Sequence, residues 1–283
     1  MRTVPDAAAA AAAAAGDDAA AAAGDEPVPA PFHLPLSPLG ADRVRPASVA
    51  TVIGSATVLA VASAGGFGPL LGATLALSLV LAWAWPVLAG SFTPVTTSIV
   101  LLVAAPGIVL SALRDDLRWT AAAVAFGIVV AFLGQLVRTS GRAGLVLTLL
   151  ASFGGLLPMT SATLAVTAGD ESLGRAYVIV TMAAAAAAVL ADLLAGRRRL
   201  APLLGLVALA AAVAGGVVAA LFLDELAAWA AVGLAAAAGS LSWSFRRVLA
   251  LQPAMLGVRG QVAAGLGSVL ILGVLVRLFL IVS

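Results

Sequence analysis

Two ionisable side chains fall inside long apolar stretches of this chain, and they are the first residues to consider for chemistry. Asp192 lies near the end of the stretch 176–196, and Arg277 lies near the end of the stretch 262–282. A charged group at the centre of a membrane helix costs about 2.5–3.5 kcal/mol on insertion scales, so such a residue usually serves a function. From their positions along helices, the two charges lie about 15 Å apart in depth, and we expect no direct ion pair between them.

Each of these charges has a structural and a functional interpretation. The side chain of Arg277 is long enough to reach the outer headgroups, which requires no further role. Asp192 either pairs with the arginine cluster 197–199, one turn further along, or faces an aqueous cavity as a proton- or cation-responsive group. Gln135 lies at a similar predicted depth and would join either arrangement.

A second candidate site is a backbone feature in the stretch 143–168. Pro158 removes the hydrogen bond to the carbonyl of Gly154, and the adjacent Gly155 allows the backbone to unwind at little steric cost. Hydroxyl groups follow at Thr160, Ser161, Thr163 and Thr167. Discontinuous helices at mid-membrane form binding sites in transporters, so one interpretation is a substrate site. The other is a proline kink whose hydroxyls bond back to their own helix.

These two features together give the predicted substrate-binding residues. They are Gly154, Gly155, Pro158, Thr160, Ser161, Asp192 and Gln135.

Other chemistry is excluded by residue type, because Cys is absent, His occurs only as His33, and all 15 basic residues are Arg. Disulfides, thiolate metal sites, paired-histidine zinc sites and the P-loop lysine are therefore ruled out. We expect no catalytic residue, metal or cofactor, and the balance is against an enzyme.

The composition shows what kind of element must position these residues. Hydrophobic residues make up 63% of the chain and charged residues 10%, whereas soluble domains are about half apolar and about a quarter charged. Nine apolar stretches, each near the length of a membrane span, predict an all-α bundle of nine transmembrane helices over residues 47–283. The predicted helices are 47–66, 68–90, 94–113, 119–137, 143–168, 176–196, 200–223, 226–245 and 262–282.

The first 46 residues differ from the rest. They contain alanine runs, acidic residues and several prolines, and they include His33. Such a segment buries too little apolar area to offset the entropy of ordering it. The sequence therefore predicts a disordered cytoplasmic tail over 1–46, with His33 in solvent.

The distribution of arginine predicts the orientation of the bundle. Of the 13 arginines that flank the predicted helices, ten fall on the side of the N-terminus and three on the other, which predicts a cytoplasmic N-terminus, an external C-terminus and a plasma-membrane location. The external side also holds three acidic pairs, which are either solvated loop charges or a cation site. They are Asp115/Asp116, Asp170/Glu171 and Asp224/Glu225. Because the arginines occur in short clusters between apolar stretches, we expect no nucleic-acid partner.

Short motifs carry a resemblance to a group of known sequences. The stretch Trp83-Ala84-Trp85-Pro86 and the turn Gln135-Leu136-Val137-Arg138 resemble those of permease-like polytopic membrane proteins from high-GC actinobacteria, which have no assigned activity. That resemblance implies a membrane location and transfers no functional residue. The number of helices is also similar to that of phosphatidate cytidylyltransferases, but their carboxylate- and lysine-bearing signature is missing here.

Two functions remain open on the sequence. One is a permease or transporter for a small or amphipathic substrate, with its site near Pro158 and Asp192. The other is a non-catalytic membrane scaffold or partner subunit of an envelope complex, which would act through a membrane-protein partner or a homo-oligomer in the lipid bilayer. A water-filled cavity reaching the fifth or sixth helix would favour the first function, and a solidly packed bundle the second.

Overall fold

The computed structural model describes residues 44–114, 116–137, 144–223 and 226–282. Several predictions fall outside these ranges: the tail 1–43 with His33, the turn residues Arg138 and Arg142, and the acidic residues Asp115, Asp224 and Glu225. Within the described ranges, all regular secondary structure is helical, so the predicted all-α fold is confirmed.

Ten α-helices occur in the described part of the chain. They are α1 (Pro46–Ala64), α2 (Phe67–Leu88), α3 (Pro94–Leu110), α4 (Leu117–Leu136), α5 (Leu145–Ala168), α6 (Ser172–Ala188), α7 (Leu204–Ala220), α8 (Ala228–Leu249), α9 (Val258–Leu270) and α10 (Gly273–Val282). Short 3-10 segments cover Ser111–Leu113, Val189–Leu194, Arg198–Leu203 and Pro253–Leu256. All nine predicted stretches are therefore helical, and the last one is divided into α9 and α10.

Eight of the helical segments in the described residues are long and apolar enough to cross a membrane, as expected of a polytopic bundle. The shorter one is α7, which has 17 residues and is preceded by the 3-10 turns of Arg198–Leu203. Burial differs strongly between the segments. In the most apolar 18-residue stretch of the segment Ser172–Leu194, 56% is buried, against 22% in the corresponding stretch of α4. The segment Ser172–Leu194 thus lies inside the bundle, whereas α4 lies at its periphery.

The end of the eighth helix differs from the prediction. The sequence placed Arg246 and Arg247 in a loop after residue 245, but α8 continues to Leu249 and holds both arginines in its last turn. Positive charge is favourable there, because the carbonyl groups at the C-terminus of a helix are not satisfied within the helix. Arg246 is buried and points into the bundle.

The sixth predicted helix also changes its geometry before it ends. α6 gives way at Val189 to 3-10 turns that end at Leu194, and Asp192 lies in these turns. The backbone N–H of Ala195 bonds to the carbonyl of Asp192 over 3.2 Å. The carboxylate of Asp192 is thereby held on a tighter helical segment than the sequence predicts.

Contacts between helix ends show how the bundle is arranged. Arg45, directly before α1, donates to the carbonyl of Ala250, directly after α8. The opposite end of α1 meets the start of α6, because the hydroxyl of Ser63 donates to the carbonyl of Arg175. We call the first end, with Arg45, Arg246 and Arg247, the basic end, and the other, with Asp170 and Glu171, the acidic end.

Candidate functional site

The carboxylate of Asp192 forms an ion pair with an arginine of a neighbouring helix. Nε of Arg246 donates to Oδ2 of Asp192 over 2.8 Å. The side chain of Arg246 is 3% exposed and that of Asp192 is 27% exposed. The pair therefore joins the end of the sixth segment to the end of α8, inside the basic end of the bundle.

Two serines complete the surroundings of Arg246. Its Nη1 donates to the hydroxyl of Ser242 over 2.6 Å and to that of Ser268, on α9, over 3.4 Å. Ser268 itself donates to the carbonyl of Gly265. Among the described residues, Nη2 of Arg246 has no hydrogen-bond partner, although it is buried. The guanidinium thus links three helical segments, and one of its nitrogens is buried without a described partner.

The described ion-pair partner of Asp192 is Arg246, which the sequence did not suggest. The sequence offered the cluster of Arg197, Arg198 and Arg199; Arg197 and Arg199 are exposed, and the side chain of Arg198 lies outside the described part of the chain. No sequence signal identified Arg246, because it lies 54 residues from Asp192 on another helix.

A small pocket opens beside the ion pair. Its volume is about 20 Å³, and Arg45, Trp243 and Arg247 line it together with Asp192 and Arg246. Burial lowers the pKa of Arg45, the carboxylate of Asp192 raises it, and the charge of Arg247 lowers it again. The pocket has room for about one water molecule, which is less than a substrate-sized cavity requires.

The predicted discontinuity at Pro158 is not present. α5 runs unbroken from Leu145 to Ala168, with Pro158 buried inside it. The glycines before it serve packing instead of unwinding: a Cβ on Gly155 would lie 2.7 Å from Leu101 and 2.9 Å from Trp85. Nε1 of Trp85 donates to the carbonyl of Ala151 over 2.9 Å, which fixes the indole in this crossing.

Three of the hydroxyls after Pro158 bond back to their own helix. Thr160 donates to the carbonyl of Leu156 over 2.8 Å, and Thr163 donates to that of Met159 over 2.9 Å. Thr167 makes the same kind of bond to Leu164. This is the local arrangement expected for a proline-containing membrane helix, and the role of Thr160 in substrate binding stays a prediction.

Ser161 is the exception, and it contacts the break between α9 and α10. Its hydroxyl donates to the carbonyl of Ile271 over 2.7 Å and accepts the N–H of Val274 over 2.8 Å. A Cβ on Gly273 would lie only 1.9 Å from the carbonyl oxygen of Ser161, so the two backbones meet because this residue is glycine. The discontinuous helix of this bundle is therefore the ninth segment, near its middle, and sequence reasoning missed it.

A small apolar cavity lies next to this break. Its volume is about 10 Å³, and Gly273, Ala162 and Met182 are among the residues that line it. This volume is close to the smallest that holds a single water molecule, and the apolar walls offer such a molecule few partners. The bundle is closely packed at this level.

Gln135 lies apart from the ion pair. It is buried near the end of α4, a helix that packs on α3 and α5, and its Oε1 has no hydrogen-bond partner among the described residues. Asp192 instead lies beside α8. Gln135 is therefore a buried amide of a peripheral helix, and its predicted part in a substrate site stays a prediction.

A larger cleft opens at the acidic end. Its volume is about 330 Å³, and it is lined by Arg114, Thr167, Asp170, Glu171 and Arg277, with apolar residues between them. Arg277 lines this cleft, and its Nε is buried without a hydrogen-bond partner among the described residues. Its expected reach to the headgroups stays a prediction. The cleft thus contains two arginines and two carboxylates.

A metal centre finds no support in the described ranges, where no group of three or more His, Cys, Asp or Glu side chains comes together. Asp170 and Glu171 have arginines as their neighbours in the cleft, which does not favour a cation.

Comparison of the chain with known protein families, with curated proteins and with solved structures finds no match.

Proposed function

We propose that this chain is a permease-like protein of the plasma membrane for a small or amphipathic substrate. The observation that carries the proposal is the difference between the two ends of the bundle. The acidic end has a polar cleft of about 330 Å³, whereas the pocket described at the basic end, beside the pair of Asp192 and Arg246, has a volume of about 20 Å³. A bundle with an opening at one end and a closed opposite end is what alternating access requires of a resting state.

The cleft and the break in the ninth segment lie close together. Arg277 lines the cleft and follows Gly273 by four residues on α10. One helical turn, or about 6 Å along the axis, therefore separates the cleft from the break. A substrate that enters the cleft would reach the discontinuous helix before any other mid-membrane feature described above.

The break provides a candidate moving element. α10 is joined to α9 by a turn at Ile271 and Leu272 and is held to α5 by the hydroxyl of Ser161. A short half-helix attached at such a junction changes its angle by adjusting a few backbone torsions. Movement of α10 would enlarge the cavity of about 10 Å³ that borders Gly273.

The orientation of the proposed permease follows from charge. Arg45, Arg246, Arg247 and Arg259 lie at the basic end, and cytoplasmic ends of membrane helices are enriched in arginine. We therefore propose that the basic end faces the cytoplasm and that the acidic cleft faces outward.

Single cysteines test this proposal, because the native chain has none. The variants are Thr167→Cys in the cleft, Ala162→Cys at the central cavity, Ala195→Cys beside the ion pair, and the control Leu157→Cys. Leu157 is 64% exposed on α5 and is expected to face lipid. Each variant is treated with a membrane-impermeant thiol reagent from one side at a time, in vesicles of both orientations.

A permease predicts labelling of positions 167 and 162 from the acidic side, weak labelling of 195, and no labelling of 157. Labelling at 162 is the informative result, since water then reaches mid-membrane next to the break. If position 162 stays unlabelled from both sides while 167 reacts, the permease proposal is contradicted.

One observation favours a second function, that of a membrane scaffold or partner subunit. The cavity beside the break is about 10 Å³, and three of the four hydroxyls near Pro158 are satisfied within their own helix. A closely packed bundle of this kind needs no internal water path. An unlabelled position 162 would support this alternative and turn the search toward binding partners.

A further inference from the structure

Arg277 is a half-buried cation on a membrane helix, and the described contacts do not balance its charge. It lies on α10 and lines the cleft at the acidic end. Its Nε is buried without a hydrogen-bond partner, and the ion pairs found among the described residues join other side chains. Because a charge within a membrane helix is costly, a residue of this kind usually marks the path or the binding site of a ligand.

The carboxylates of the same cleft are not used by the fold in the contacts described. Asp170 and Glu171 line the cleft and are exposed. Glu171 is the N-cap residue of α6, but its side chain does not cap the helix. The bond described for Asp170 uses its backbone carbonyl, which accepts from Arg175. The described part of the cleft therefore holds Arg277 and two carboxylates without pairing them.

The balance of charge in the cleft indicates the kind of ligand. The described lining residues include two arginines and two carboxylates. The second arginine is Arg114, whose guanidinium carbon lies 5.6 Å from the centroid of the ring of Trp119, so Arg277 is the arginine without a described contact. The carboxylates would repel a simple anion, and the arginines would repel a simple cation. A zwitterion fits, because each of its charges can lie beside the opposite charge.

The size and the remaining lining of the cleft suit a small ligand with an apolar part. Its volume of about 330 Å³ falls within the range of about 300–1,000 Å³ that is usual for small-molecule sites. The hydroxyl of Thr167 donates to the carbonyl of Leu164, and its oxygen can still accept a hydrogen bond from an ammonium group. The apolar lining residues are Phe67, Ala112, Leu113 and Leu117.

We propose that the cleft at the acidic end binds a zwitterionic group, supplied by a free amino acid with an apolar side chain or by a zwitterionic lipid headgroup. The anionic group of the ligand accepts from Nη1 and Nη2 of Arg277, because Nε is the nitrogen of this side chain described as buried. The ammonium group lies beside Asp170 and Glu171. This assignment names the substrate class of the permease and rests on that proposed function, although binding itself can be measured without transport.

The test measures the binding of radiolabelled L-leucine to the purified full-length protein in nanodiscs of phosphatidylglycerol. Two competitors have the carbon skeleton of leucine, since isopentylamine lacks its carboxylate and isocaproate lacks its ammonium group. The variants are Arg277→Gln and the double variant Asp170→Asn/Glu171→Gln. The matched control is Arg118→Gln, which removes the same charge from a side chain that is 92% exposed and pairs with Asp116.

The two variants are expected to change the ligand preference in opposite directions. The unmodified protein binds leucine about tenfold more tightly than either competitor, which is the effect of one charge-assisted hydrogen bond. Arg277→Gln removes this advantage over isopentylamine, and the double variant removes it over isocaproate, whereas Arg118→Gln changes neither. A merely destabilised fold would weaken the binding of all three ligands alike, so the change in preference separates a site from a structural effect.

Retention of phosphatidylethanolamine, counted by native mass spectrometry, distinguishes the two sources of the zwitterion. If the unmodified protein and Arg118→Gln retain this lipid while Arg277→Gln and the double variant lose it, the headgroup occupies the cleft. If leucine alone shows this dependence on the variants, the ligand is the free amino acid. The proposal is overturned if neither ligand shows it.

Failure of this proposal is distinguishable from failure of the permease. Zwitterion binding without thiol labelling at position 162 would support the site and contradict transport. Labelling at 162 without zwitterion binding would support the permease and overturn the substrate class proposed here.

Discussion

The two ends of the bundle contain arginine and carboxylate in opposite environments. At the basic end, Arg246 is 3% exposed and pairs directly with Asp192 over 2.8 Å. At the acidic end, Arg277 lines a cleft of about 330 Å³ together with Asp170 and Glu171, which are both exposed. The same two kinds of charge therefore form a direct ion pair at one end and line an open cleft at the other.

The difference shows how this chain uses charge inside an apolar bundle. A buried pair is strong only while both partners are present, because each charge has lost its hydration. Charges in a water-accessible cleft keep much of their hydration and contribute little to stability. We therefore expect substitutions of the charged residues to lower the stability more at the basic end than at the acidic end.

The largest effect is expected for Arg246→Gln. This change leaves the partly buried carboxylate of Asp192 without its cation. Removal of one partner of a fully buried pair costs about 3–5 kcal/mol, and we expect the lower end of that range because Asp192 is 27% exposed. The measurement is the free energy of unfolding in detergent micelles. The double variant Asp192→Asn/Arg246→Gln removes both charges and should recover a large part of the loss; if it is less stable than Arg246→Gln alone, the pair does not close the basic end.

The next largest loss of stability is expected for Gly273→Ala. An added Cβ would lie 1.9 Å from the carbonyl oxygen of Ser161, so α10 must move away from α5, at a cost of about 1–3 kcal/mol. The control is Gly72→Ala in α2, where a Cβ would have no heavy atom within 4 Å. Equal unfolding free energies for the two variants would mean that α10 and α5 are not in close contact at the break.

Ser161→Ala is expected to cost about 1–2 kcal/mol, since it leaves the N–H of Val274 and the carbonyl of Ile271 without the partner described here. Thr160→Val is the matched control, because the hydroxyl of Thr160 bonds only to its own helix in the contacts described. Its removal should change the unfolding free energy by less than about 0.5 kcal/mol. Similar losses for both variants would remove the special role of Ser161 at the break.

Arg277→Gln should have the smallest effect on stability, below about 1 kcal/mol, because its charge lies in an open cleft. The same substitution thereby serves as the direct counterpart of Arg246→Gln at the opposite end. If Arg277→Gln lowers the unfolding free energy as much as Arg246→Gln does, the charges at the two ends contribute equally to stability, which contradicts the difference drawn between them.

The sequence predicted the helices because length and composition determine them. The stretch from 145 to 168 and the alanine-rich 183–188 are apolar over a full span or lie inside one, and an α-helix satisfies its backbone hydrogen bonds within the segment itself, as lipid requires. The end of α8 was missed for a physical reason. Arg246 terminates an apolar stretch, so on composition alone it resembles a loop charge, and its burial depends on a carboxylate from another helix.

The candidate sites were less predictable than the helices, because they depend on contacts between distant residues. Asp192 and Arg246 are 54 residues apart, and their pairing depends on the rotation of two helices about their axes. The break at Ile271 and Leu272 contains no proline and is bonded to Ser161, more than 100 residues away. Pro158, the strongest sequence signal for a break, lies in an unbroken helix that neighbouring helices support.

One labelling experiment at both ends tests directly whether the pair of Asp192 and Arg246 holds the basic end closed while the acidic end is open. Thr167→Cys at the acidic end and Ala195→Cys at the basic end are each labelled with an impermeant thiol reagent, with and without the Asp192→Asn/Arg246→Gln background. If the ion pair holds the basic end closed while the acidic end is open, neutralising it should increase labelling at 195 and decrease it at 167. If labelling at both positions is the same with and without the Asp192→Asn/Arg246→Gln background, the ion pair does not hold the basic end closed.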